Sequence, residues 1–160
     1  MELKVPSPLK LEHEELHNLL RAAIRFKDET GRAALRVERL MQNHFAKEEE
    51  FALPPLGLLQ SLASGALPPE DAAGAMRMAD RLRVELPDML AEHRAMVAAL
   101  ELLMRAAGND NHPELIDFAE RMMLHNQCAE QVTYPTALLI GEFLKLKRRI
   151  QQPLATNTHG

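Results

Sequence analysis

Histidines carry the clearest chemical signal in this sequence. The chain contains 7 of them. Five fall in stretches with the apolar periodicity of helices, namely His13, His17, His44, His93 and His125. Neutral imidazole is a common ligand of transition metals. Because scattered core histidines would not be distributed over four separate helices, we predict that imidazoles from four helices meet at one metal site.

The two halves of the chain repeat the histidine pattern. A Glu-His pair is followed by a single histidine at nearly the same distance in each half: Glu12-His13 with His44, and Glu92-His93 with His125. A proline follows ten residues after each of these single histidines. Such a repeat indicates two similar helix hairpins, which pair naturally into a four-helix bundle.

Each half also places a carboxylate after its single histidine. Glu48 lies four residues after His44, so the two side chains share one helical face; an ordinary surface pair is the alternative. Glu130 lies five residues after His125, about 140° away on an ideal helix. A π-type bulge before Pro135 would bring these two side chains together. Mixed imidazole and carboxylate ligands suit iron, zinc or manganese, and a carboxylate can bridge two ions; we expect iron.

Composition narrows the class of protein. Aromatic residues make up only 4% of the chain, and Ala, Leu and Met dominate its apolar residues, which favours helices over strands. The net charge of −4 and the pI near 6.0 provide no basic surface for nucleic acid. The single cysteine, Cys128, excludes an intrachain disulfide and a thiolate metal cluster. With no long apolar run and no signal peptide, we expect a cytoplasmic protein without a membrane span.

Apolar periodicity and helix-breaking residues predict the elements that position the histidines. The predicted segments are a helix from Ser7-Pro8 to about 28, a helix at 32–51, a stretch at 69–107 that Pro87 kinks or divides, a helix from Pro113 to near Pro135, and a terminal helix at 136–150. We predict an all-α fold, an antiparallel four-helix bundle. It has a helical insert between the second and third bundle helices and an extra C-terminal helix. The domain covers 1–150, and 151–160 is a tail.

Four segments together resemble the hemerythrin-like (HHE) cation-binding family: Glu12-His13-x-x-x-His17, His44-Phe45-x-x-Glu48-Glu49, Glu92-His93, and His125-x-x-x-x-Glu130-x-x-x-Tyr134-Pro135. The resemblance covers roughly 9–146, nearly the whole chain. It implies a di-iron centre with oxo or hydroxo and carboxylate bridges. The implied ligands are His13, His44, His93 and His125, and the implied bridging carboxylates are Glu48 and Glu130. The resemblance also implies binding of dioxygen or a related small ligand, peroxide or nitric oxide.

The chain departs from the oxygen-carrying hemerythrins in two respects. Those carriers have a His-x-x-x-His pair on the third helix and one histidine on the first, whereas here the pair is His13 and His17, and Val97 follows His93 by four residues. By the pseudo-symmetry, His17 serves as the fifth histidine with the roles of the two irons exchanged; a position at the solvent edge is the alternative. In the carriers, the helix with the His-x-x-x-Glu motif belongs to the half that has the single histidine. In this chain it belongs to the half that has the His13 and His17 pair. Both departures separate this chain from the carriers.

Three classes of function stay open. The leading one is a di-iron protein that binds a small ligand. The alternatives are an iron- or oxygen-responsive signalling module, with 54–83 and 136–150 as candidate contact surfaces, and a di-iron enzyme that decomposes peroxide. A ferritin-like oxidase is disfavoured because such bundles use two Glu-x-x-His motifs, and only Glu14-x-x-His17 occurs on a bundle helix here. Whether the protein is an enzyme, and whether it forms a homo-oligomer, is left undecided.

Overall fold

The computed structural model describes residues 3–66 and 69–151, and every regular element within these ranges is helical. The α-helices are α1 (Ser7–Ala23), α2 (Glu29–Lys47), α3 (Leu59–Ser64), α4 (Pro69–Asp110), α5 (Pro113–Cys128) and α6 (Tyr134–Gln151). The chain also contains a first π segment (Glu48–Ala52), a 3₁₀ segment (Pro54–Leu58) and a second π segment (Ala129–Thr133). The predicted all-α class is confirmed. Within the described ranges, no helix combines the length and apolar composition needed to cross a membrane. The predicted tail lies outside these ranges apart from Gln151.

The first two helices differ from the prediction at the turn that joins them. The first helix begins at Ser7 as predicted but ends at Ala23, several residues earlier than expected. Asp28 is the reason, because its side chain accepts a hydrogen bond from the backbone N–H of Gly31 at 2.9 Å. This residue caps the start of α2 instead of ending α1. Gly31 itself is required, since a Cβ there would lie 2.0 Å from the carbonyl oxygen of Phe26.

The third bundle helix is longer than predicted. The helix α4 runs without interruption for 42 residues with Pro87 inside it, so the predicted division at this proline is wrong. Proline within a helix costs about 3 kcal/mol, and Leu82 and Met89 on either side are fully buried. We attribute the continuity to their packing. The predicted helical insert is therefore not a separate unit, because its second part belongs to α4.

The last two predicted helices form one continuous helical run. The predicted end near Pro135 is wrong, since α5 passes through the second π segment directly into α6. The N–H of Tyr134 donates to the carbonyl of Ala129, and the N–H of Leu53 donates to that of Glu48 at 2.8 Å. Each of these wide turns stands directly before a proline. The bulge predicted in this region is confirmed, and a matching one occurs after α2.

Three apolar clusters follow one another along the molecule. The largest lies among α1, α2, α4 and α5 and includes Leu20, Leu103 and Phe118. A second contains Phe51 and Tyr134, and a third joins the start of α4 to α6. In sequence, each candidate histidine on α2, α4 and α5 falls between a residue of the first cluster and a residue of the second. These candidate histidines are therefore held between two packed apolar layers.

Candidate metal centre

Four histidines and one glutamate converge between the first two clusters. The histidines His13, His44, His93 and His125 come from α1, α2, α4 and α5, and Glu48 begins the first π segment. These side chains are buried, with exposed fractions from 0% for His44 and Glu48 to 8% for His125. Buried charges and polar rings are costly unless they are paired with one another or with an ion. This convergence is the arrangement predicted for these five residues.

The two oxygens of Glu48 divide the histidines into two groups. The Oε2 atom lies 3.1 Å from His13 Nε2 and 3.4 Å from His125 Nε2. On the other side, Oε1 lies 3.5 Å from His44 Nε2, and the Nε2 atoms of His44 and His93 are 2.8 Å apart. The first group is thus His13, Glu48 and His125, and the second is His44, Glu48 and His93. Within each group the candidate ligand atoms lie within 4.8 Å of one another.

Each of the four histidines also meets a carboxylate at its other ring nitrogen. The Nδ1 atoms lie 2.9 Å (His13 to Glu49), 2.8 Å (His44 to Glu92), 2.7 Å (His93 to Glu130) and 3.3 Å (His125 to Glu12) from a carboxylate oxygen. We call Glu12, Glu49, Glu92 and Glu130 the outer carboxylates. An Nδ1–H that donates to a carboxylate leaves Nε2 with a free lone pair, which is the tautomer that binds a metal.

The outer carboxylates follow the internal repeat. Glu49 and Glu130 each contact a histidine of their own hairpin, whereas Glu12 and Glu92 each reach across to a histidine of the other hairpin. Each Glu-His pair of the sequence therefore supplies one candidate ligand and one carboxylate that contacts another candidate ligand. Sequence reasoning found the histidines of these pairs but gave no role to their glutamates.

The structure places Glu130 outside both groups. Its carboxylate contacts His93 Nδ1 and is 41% exposed, so it has the same position in the second hairpin that Glu49 has in the first. The residue that begins the second π segment, and so corresponds to Glu48, is Ala129. The resemblance implied that Glu130 bridges the ions as Glu48 does, although the distances to the two prolines align Glu130 with Glu49.

The structure also places His17 outside both groups. Its Nδ1 atom lies 3.3 Å from Glu38, its side chain is 23% exposed, and its ring packs edge-on against Phe45. His13 lies one turn earlier on α1 and is buried, and its ring stacks on that of Phe45 with the ring centres 3.7 Å apart. The sequence left His17 open between a fifth ligand and a histidine at the solvent edge, and this placement matches the second description.

Tyr134 is brought into the second group. Its hydroxyl donates to Glu48 Oε1 at 2.5 Å and lies 3.2 Å from His44 Nε2 and 3.3 Å from His93 Nε2. Burial raises the pKa of this phenol and the charge of Glu48 raises it further, so the hydroxyl keeps its proton. In the sequence, Tyr134 could be read as a residue at the edge of the site or as core packing. The signal in the sequence that could have distinguished Tyr134 from an ordinary core residue is its position directly before a proline, which matches the position of Leu53 in the first hairpin.

The electrostatics of the centre favour a cation. Burial raises the pKa of Glu48, but the contacts with His125, His13 and His44 outweigh burial and hold it well below its ordinary value. Burial lowers the pKa of His125, yet Glu12 and Glu48 raise it to about 9 overall. Protein without a metal therefore keeps an ionised carboxylate beside a protonated imidazole. A metal ion can replace that proton, because metal binding and proton release are coupled.

Three buried polar atoms of the first group approach one another to 3.1 and 3.4 Å without the geometry of a hydrogen bond: His13 Nε2, Glu48 Oε2 and His125 Nε2. Leaving a buried polar atom unsatisfied costs about 1–3 kcal/mol. The three residues line a cavity of about 20 Å³, together with Leu53 and Ala129. A space of this size holds a single water-sized species. The unpaired atoms belong to the first group, so the residues present fit a bound ion there.

No family model, curated protein or solved structure matches this chain. Support for a metal therefore comes from the chemical types of the candidate ligands. Each group offers two imidazoles and one carboxylate, a combination that with open positions is typical of non-haem iron. Structural zinc sites, in contrast, are closed by four protein ligands.

Proposed function

We propose that this protein is a non-haem di-iron protein of the hemerythrin-like kind, which binds dioxygen or a related small ligand such as peroxide or nitric oxide. The observation that carries the proposal is the sharing of Glu48 by two pairs of histidines from four helices. A carboxylate with one oxygen on each pair is suited to bridge two ions.

The proposed architecture is an antiparallel four-helix bundle made of α1, α2, α4 and α5. Contacts between neighbouring helices run in opposite directions along the chain: His13 reaches Glu49 while His17 reaches Glu38. The same holds for α2 and α4, where Thr30 contacts Asp110 at one end and His44 contacts Glu92 further along. Helices packed in this way present inward-facing ligands at one level, as metal-binding bundles do.

The outer carboxylates set the orientation of the ligands. An iron pair bound here would supply redox-active ions with free coordination positions. The outer carboxylates hold Nδ1 protons so that all four Nε2 atoms face the centre. The rings of Phe45 and Tyr134 stack on His13 and His93 and limit the access of water.

Metal analysis combined with optical spectra tests the proposal. Protein loaded with ferrous iron without oxygen is expected to hold two irons per chain and to change its absorption when oxygen, peroxide or nitric oxide is added. Spectral changes that reverse when oxygen is removed would indicate ligand binding, whereas turnover of peroxide would indicate the enzyme alternative. Failure to retain iron, or equal retention of zinc with no oxygen-dependent absorption, would contradict the proposal.

A second candidate function is an iron-responsive signalling module. The observation that favours it is a row of apolar side chains on α6 that are 49–75% exposed: Leu139, Phe143, Leu146 and Ile150. If the row is the output surface of such a module, with a second copy of the chain as its partner, the mass in solution should depend on iron. Sedimentation of the iron-free and iron-loaded chain measures this. Equal masses in both states would exclude this form of signalling.

A further inference from the structure

The two hairpins are matched on the outside of the centre and differ on the inside, and two of the differences involve polar groups that reach the candidate ligand atoms. The first π segment begins with Glu48, and the second begins with Ala129. The residue before the following proline is Leu53 in the first hairpin and Tyr134 in the second. The first hairpin thus supplies a carboxylate, and the second a phenol, where the other hairpin has an apolar side chain.

In the second group, a phenolic oxygen stands among the ligands. The hydroxyl of Tyr134 lies between 2.5 and 3.3 Å from Glu48 Oε1, His44 Nε2 and His93 Nε2. Donors bound to one ion at about 2.0–2.2 Å are themselves about 3 Å apart. The hydroxyl is thus spaced from the other three as a further donor to the same ion would be.

The first group has free space where the second has the phenol. Its Nε2 atoms and Glu48 Oε2 are buried without hydrogen-bond partners among the described residues, and they face the cavity beside Ala129 and Leu53. Neither Ala129 nor Leu53 carries a polar atom on its side chain. The cavity is also lined by Glu12, Cys128 and Thr133, but neither the Glu12 carboxylate nor the Cys128 thiol is among the atoms grouped with His13, Glu48 and His125.

We propose that Tyr134 is a ligand of the ion held by His44 and His93, and that the external small ligand binds at the ion held by His13 and His125, on the side of Ala129. The proposal rests on the di-iron function proposed above and assigns different roles to its two ions. When the phenol coordinates, the O–H bond breaks, the proton leaves to solvent and the oxygen lone pair forms the bond to the metal. No electron is transferred in this step.

The first test uses the fact that the chain has one tyrosine and no tryptophan. A ferric ion with a phenolate ligand absorbs visible light by charge transfer, and resonance Raman spectra excited in that band contain the vibrations of the phenolate ring. We expect these vibrations in the ferric protein and a shift of them when the chain is made with ring-deuterated tyrosine. Because Tyr134 is the single source, the assignment needs no variant.

The variant Tyr134→Phe provides the matched comparison. We expect it to lose the phenolate band while it keeps two irons, since His44, His93 and Glu48 remain. Two irons in the wild type with no tyrosine vibrations would overturn the role of Tyr134 and leave the di-iron function standing. Fewer than two irons in the wild type would contradict the di-iron function itself, so the two failures are distinguishable.

The second test probes the first group with azide, a small anion that binds ferric iron. We expect one azide per pair of irons in the wild type. Ala129 lines the space beside His13 and His125, so the added methyl groups of Ala129→Val should crowd a ligand there, and we expect azide affinity to fall by at least about tenfold. The control is Ala119→Val, the same change at a buried position of α5 in the first cluster. Azide affinity that is unchanged in Ala129→Val, or reduced equally in Ala119→Val, would overturn this position of the external ligand.

Discussion

The central carboxylate and the outer carboxylates are the same chemical group in opposite surroundings. Glu48 is fully buried and lies within 3.5 Å of three imidazole nitrogens, whereas Glu49 is 38% exposed and contacts one. A third neighbour, Glu50, is 59% exposed and pairs with Arg81 at the surface. Three consecutive glutamates thus face the centre, its edge and the solvent. The comparison indicates that the charge of Glu48 needs a counter-charge inside the protein, which the proposed ions would supply, whereas water can solvate the other two.

Replacing the central carboxylate should have the largest effect. We expect Glu48→Gln to lose both ions, because an amide has one oxygen acceptor and no charge to share between two metals. Metal analysis after loading and desalting measures the loss. Glu50→Gln is the matched control and should keep two irons per chain. Retention of both ions in Glu48→Gln would contradict the proposed difference between the buried Glu48 and the more exposed Glu49 and Glu50.

Removing one histidine of a group should have the next largest effect. We expect His13→Asn to hold at most one firmly bound ion, since the first group then offers one imidazole and one carboxylate. His17→Asn should retain two irons, because the structure places this ring against Glu38 and Phe45. Titration with ferrous iron under anaerobic conditions gives the stoichiometry. Loss of an ion in His17→Asn would restore it as a ligand.

Removing an outer carboxylate should weaken the centre without emptying it. Loss of such a supporting group costs about 10–100-fold in metal affinity, and we expect this range for both Glu49→Gln and Glu130→Gln. The two residues have equivalent positions on His13 and His93. Competition with a chelator gives the affinities. A loss of metal in Glu130→Gln as complete as in Glu48→Gln would mean that Glu130 is a ligand and that the equivalence is wrong.

The sequence was sufficient for the helical class and for the five converging residues. The histidines could be found because the repeat marks them, and Glu48 because it lies four residues after His44 on the same helical face. The repeat survives in the structure as matched contacts of the histidines with the outer carboxylates. The bulge before Pro135 was also predicted, but for a reason that the structure does not support: it was expected to bring Glu130 beside His125, whereas Glu130 contacts His93. These features depend on local spacing, which a single sequence contains.

Other features depend on packing, which local rules do not contain. Pro87 and Pro135 both read as helix breaks, but neither ends its helix. The position of Glu130 on His93 joins two helices and could not be read from its distance to His125 along the chain. The same reason applies to Tyr134, whose hydroxyl meets residues of three other elements.

The most direct test of the account is a crystal of the iron-loaded protein measured at the iron absorption edge. We expect two anomalous peaks per chain, one on each side of the Glu48 carboxylate. One should lie beside His13 and His125 and the other beside His44 and His93. A single peak, peaks that lie away from Glu48, or no peak after loading would contradict it.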